Sequence, residues 1–110
     1  MTEWIDVCSI DDLQPNSGVC ALIRDKQVAI FYLPQESALF AVGNHDPIGK
    51  ANVLSRGIVG DLCGHPVVAS PLYKQHFNLM TGICVEDETV NIPVYSVRVE
   101  NGRVEIGIGG

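Results

Sequence analysis

The chain has 110 residues, 46% of them hydrophobic and 18% charged, which suits one globular domain with a core and excludes a disordered tail. Seven basic residues against thirteen acidic ones give a net charge of −6, and the basic ones are scattered, so a nucleic-acid partner is not expected. No apolar run reaches membrane length, and "MTEWIDVCSIDDL" lacks the basic and apolar regions of a secretion signal. The expectation is a cytoplasmic protein whose cysteines, Cys8, Cys20, Cys63 and Cys84, stay reduced.

Apolar residues alternate or fall in short runs without a helical period, and turn formers recur between them, so an all-β domain is expected. A first strand at Trp4 leads into "SIDDL", a candidate helical turn capped by Ser9. "VCALIR" and "QVAIFYL" read as a hairpin about Asp25-Lys26, followed by a strand at Leu39–Val42. "GNHDPIGKANVLSRG" has Gly, Asn, Asp and Pro but no periodicity, and reads as a long loop of the kind that carries function or meets a partner. Strands at Ile58–Leu62 and Val67–Ala69 precede a second Pro-bearing loop at Pro71. In "VYSVRVENGRVEIGI", Val97 and Val99 face Val104 and Ile106 across Asn101-Gly102, the pair suited to a two-residue type I′ hairpin turn. Residues 1–110 are thus expected to form one small antiparallel β-barrel or sandwich with two prominent loops.

Cysteine and histidine together invite a metal. Cys63 and His65 stand two apart in "CGHP", and Cys84 and Asp87 make a C-x-x-D further on. That set approaches a two-Cys, two-His iron–sulfur site, but a carboxylate would replace the second imidazole, a hard ligand poorly suited to sulfide-bridged iron. Cys63 and Cys84 are better read as small buried strand-end residues, and His65, before Pro66, as a turn residue. A mononuclear site from His45, Asp46, His65 and His76 has no recognised spacing; His45 and His76 read as solvent-facing loop residues. A Ser70–His76–Asp46 relay has no sequence signature behind it either. Arg56 and Lys74, in or beside the loops, read as solvated surface charge with a partner's carboxylates as the alternative.

The two loops taken together carry a resemblance. "FAVGNHDPIGKANVLSRGIVGD" and "PVVASPLYKQHFNLMTGIC" resemble the small subunit of NADH-dependent assimilatory nitrite reductase, a family of Rieske-like fold. The likeness runs from the Trp4 strand to the closing hairpin. In cluster-bearing Rieske domains the loops read C-P-H and C-P-x-H; here those boxes fall on Asp46-Pro47-Ile48 and Ser70-Pro71-Leu72-Tyr73. The prolines stay, and the four ligand positions Asp46, Ile48, Ser70 and Tyr73 have changed. The resemblance implies a Rieske shape without a cluster, hence no metal, cofactor or catalytic residue on this chain. It also implies a large-subunit partner that carries sirohaem, iron–sulfur and flavin (FAD) groups and reduces nitrite to ammonia. On that basis the segments 46–56 and 70–77 are expected to form the partner surface, with Arg56, Tyr73 and Lys74 in it. The alternative is a Rieske-type [2Fe–2S] electron-transfer ferredoxin of an oxygenase, and a third is a free-standing binding module.

Overall fold

The computed structural model describes residues 2–34, 38–62 and 64–109. Eleven strands account for most of them: β1 (Thr2–Ser9), β2 (Ser17–Ile23), β3 (Lys26–Leu33), β4 (Ala38–Gly43), β5 (His45–Asp46), β6 (Ala51–Asn52), β7 (Ile58–Leu62), β8 (His65–Ala69), β9 (His76–Asn78), β10 (Val94–Glu100) and β11 (Arg103–Gly109). Six of these form an antiparallel sheet in the order β1-β11-β10-β4-β3-β2, while β7-β8-β9 form a second sheet and β5-β6 a small hairpin. The all-β expectation holds.

Strand β3 explains why two layers form. "VAIFYL" is apolar throughout, the signature of a strand buried on both faces. Val28 and Ile30 face one core with Leu13, Ile23, Ala41, Val104 and Ile106. Ala29, Phe31 and Leu33 face the other with Val42, Leu54, Val68, Phe77, Leu79, Cys84 and Ile92. The first core lies inside the curl of the large sheet, to which both edge strands contribute Ile5, Val7, Val19 and Ala21. A bulge between Asp6 and Cys8 bends β1 into that curl. The second core joins the large sheet to the lobe that carries the loops.

Most local expectations stand. Asn101 (φ 52°) and Gly102 (φ 77°) make the β10–β11 turn. Ser9 caps a 3-10 turn at Ile10–Asp12, and Asp12 reaches back to complete the capping box. The strand expected at Leu39–Val42 is β4, one residue longer at each end. Two corrections concern turns and length. The β2–β3 turn residues are Arg24 (φ 48°) and Asp25 (φ 68°), one position earlier than expected, because Ile23 pairs with Lys26. "GNHDPIGKANVLSRG" is not one irregular loop: it holds the β5–β6 hairpin and a 3-10 turn at Leu54–Arg56. The segment 70–77 also gives up its last two residues to β9, a three-residue strand too short to show alternation.

Candidate functional site

The two Pro-bearing loops are built alike. The first reads Asp46-Pro47-Ile48-Gly49-Lys50 and the second Ser70-Pro71-Leu72-Tyr73-Lys74. In each, the side chain of the first residue accepts a hydrogen bond from the backbone N–H two residues on. Asp46 Oδ1 takes Ile48 N at 2.8 Å and Gly49 N at 3.1 Å; Ser70 Oγ takes Leu72 N at 3.3 Å. Each loop then closes with a lysine in the left-handed region, Lys50 at φ 58° and Lys74 at φ 62°. Their N–H groups donate to Asp46 O (2.7 Å) and Ser70 O (3.0 Å).

The loops meet at their first residues. The Ser70 hydroxyl donates to Asp46 Oδ2 at 2.5 Å, and both residues are buried, Asp46 at 0% and Ser70 at 1% exposure. A carboxylate taken out of water is tolerated because two backbone N–H groups and this hydroxyl surround it. Gly49 allows the close approach: a Cβ there would stand 2.4 Å from Leu72 Cδ1 and 3.0 Å from Asp46 Oδ2. Behind the junction, buried Asn44 ties the first loop to β3. Its amide donates to Gln27 Oε1 (3.0 Å) and its carbonyl accepts Ser55 N (2.7 Å).

Asp46, Ile48, Ser70 and Tyr73 do not suit a two-iron cluster. Ile48 has no donor atom and packs on the second core; Tyr73 is 66% exposed; the carboxylate and hydroxyl are satisfied by each other and by backbone.

The other sequence candidates do not converge either. Cys63 lies outside the described residues. His65 is not a turn residue but the exposed first residue of β8, paired with Leu62. Cys84 is buried opposite Phe77, its thiol pushed up by burial, and Asp87 is engaged with Thr89 through both backbone and hydroxyl. His65 stands three residues along β8 from Val68, the partner of Phe77, a separation of about 10 Å along the strand.

His45 and His76 are strand residues rather than free loop residues. His45 Nδ1 lies 3.0 Å from Asn52 Oδ1 across the β5–β6 hairpin. His76 is held by Glu86, whose carboxylate accepts from its backbone N–H (2.7 Å) and pairs with its Nδ1 (2.6 Å). Burial disfavours the Glu86 charge, yet the His76 backbone and ring more than offset it and keep the carboxyl below its ordinary value. With Nδ1 so engaged, and Ser70 bonded directly to Asp46, the Ser70–His76–Asp46 relay does not assemble. Among the described residues no three His, Cys, Asp or Glu side chains come together as a metal group, and Cys8, Cys20 and Cys84 are free thiols.

Residues 3–107 match the family of the Rieske-like [2Fe-2S] domain. The NADH nitrite reductase small subunit of Escherichia coli (strain K12) is 46% identical over 106 residues, 96% of this chain and 98% of the relative. This chain belongs to that small-subunit family. The solution structure of the E. coli protein NirD superposes with a TM-score of 0.91 at 45% identity, all of both chains covered. A nitrite reductase [NAD(P)H] large subunit from Klebsiella oxytoca contains a related stretch, 36% identical over 104 residues, 94% of this chain but 11% of that protein. The anthranilate 1,2-dioxygenase ferredoxin subunit of Burkholderia cepacia is more distant, 30% identical over 111 residues, 99% of this chain and 95% of the ferredoxin. In this chain Arg56 falls at the end of the 3-10 turn, and Tyr73 and Lys74 at the exposed tip of the second loop. Lys50, Gly49 and Leu72 lie within the expected segments 46–56 and 70–77 but are not singled out there, and Asn44 lies just before them. The repeated D-P-I-G-K and S-P-L-Y-K pattern was the available signal for the first three.

Proposed function

We propose that this chain acts as the non-catalytic small subunit of an NADH-dependent nitrite reductase, in the cytoplasm, and supports a large subunit that reduces nitrite to ammonia. The redox groups (sirohaem, iron–sulfur and FAD) belong to that partner, and this chain carries no cluster of its own. The end-to-end similarity to the E. coli small subunit carries the assignment. The Klebsiella large subunit supports the partnership, because a domain of this kind is there joined covalently to large-subunit sequence. The donor set at Asp46, Ile48, Ser70 and Tyr73 supports the cluster-free reading and weighs against an oxygenase ferredoxin, which needs thiolate and imidazole there. No helix among the described residues is long and apolar enough to cross a membrane, in keeping with this assignment.

Co-expression with the large subunit is the test. Nitrite-dependent NADH oxidation is expected to rise when this chain is present, and the two proteins are expected to co-purify. A brown, iron- and sulfide-containing small subunit that supports an oxygenase instead would overturn the assignment.

A further inference from the structure

The two loop segments invert the charge of the rest of the molecule. Residues 46–56 and 70–77 hold three basic side chains, Lys50, Arg56 and Lys74, and one acidic side chain, Asp46. The remaining chain has four basic and twelve acidic residues. Asp46 is buried, whereas all three cations are exposed. Arg24, Arg98 and Arg103 each pair with a carboxylate; among the described residues none of the three loop cations does.

The cations gather about one junction. Lys50 and Lys74 close the turns that begin at Asp46 and Ser70, whose side chains touch. Gly57, next to Arg56, lies so close to Ala69 O that a Cβ would fall 2.4 Å from it. At the same end stand Leu72 and Tyr73, 45% and 66% exposed. An aromatic and an aliphatic side chain bordered by Lys and Arg is a composition suited to a protein interface.

Resting on the nitrite reductase assignment, we infer that this loop end is the face that docks on the large subunit. Its counterpart there is an apolar recess rimmed by Asp and Glu side chains. Charge complementarity fixes the orientation, since an acidic surface attracts this end and is repelled by the acidic remainder of the chain. The same remainder disfavours an extended polyanion such as nucleic acid. The loops are already set for docking by Pro47, Pro71 and the Asp46–Ser70 hydrogen bond, so little ordering entropy is lost on binding.

The experiment measures the affinity of the large subunit for the intact small subunit and its variants, at low and high salt. Lys50→Glu/Arg56→Glu/Lys74→Glu is expected to weaken binding at least about tenfold at low salt and to flatten its salt dependence. Tyr73→Ala is expected to weaken it at both salt concentrations. Val99→Glu/Asn101→Asp, which adds negative charge at the β10–β11 hairpin, is expected to change affinity less than about threefold. Thermal melts confirm that each variant is folded. If the wild-type chain binds and the triple variant and Tyr73→Ala bind equally well, the docking face is wrong while the assignment stands. Should the wild-type chain itself fail to bind the large subunit, the assignment falls.

Discussion

Asp46 and Ser70 do mechanical work where the two Pro-bearing loops meet. Each caps its own turn, and their mutual hydrogen bond joins the two loops. Ser70→Ala removes the bond and leaves a buried carboxylate oxygen without that donor, a loss of about 1–3 kcal/mol. Asp46→Ala strands three donors at once and is expected to cost more, whereas Asp46→Asn keeps an oxygen for the Ile48 and Gly49 N–H groups and should lie between wild type and Asp46→Ala. Urea melts of the three variants check the order; an Asp46→Ala protein as stable as wild type would show that the junction holds nothing together. The sequence made the two positions visible through Pro47 and Pro71. It could not show that residues 24 apart would bond, because a contact between two irregular segments leaves no periodic trace.

The elements follow the same division between local and long-range signals. The β10–β11 hairpin was legible because Asn101-Gly102 encodes its own turn, and β3 because six apolar residues in a row allow little else. The short strands β5, β6 and β9 were not, since two or three residues carry no alternation and pair only because the lobe brings them together. Gly82 shows how much depends on that lobe. It sits at φ +78°, donates to Asn78 O and accepts from Ile92, and a Cβ on it would fall 2.2 Å from Ile92 O. Gly102, at φ +77°, has open space around it. Gly102→Ala therefore meets only the backbone penalty, about 1 kcal/mol. Gly82→Ala adds a clash with main chain and is expected to lose roughly 2–4 kcal/mol. Equal losses in parallel denaturant melts would mean that the Gly82 turn shifts freely and does not fix the lobe.

At the scale of the whole molecule the question is what keeps the loop lobe attached. In a cluster-bearing domain a metal centre can cross-link the loops, and chelation then removes folding free energy. Here three other connections are in place. The second core runs without a break from Ala29, Phe31 and Val42 on the large sheet to Val68, Phe77 and Leu79 under the loops. Asn44 adds polar links from β3 to the 3-10 turn at Leu54–Arg56, and the Asp46–Ser70 bond closes the top. Ile48 packs on this core and adds to it. Packing and hydrogen bonds within the chain thus join the lobe to the large sheet. Treatment with a chelator is therefore expected to leave the melting temperature within about 1 °C of the untreated protein, since for a domain of this size 1 kcal/mol corresponds to roughly 4–8 °C. Ser70→Ala, by the same conversion, should lower it by several degrees with or without chelator. A several-degree fall on chelation of the wild-type protein, accompanied by release of iron or zinc, would mean that a metal and not the hydrogen-bonded junction holds the loops.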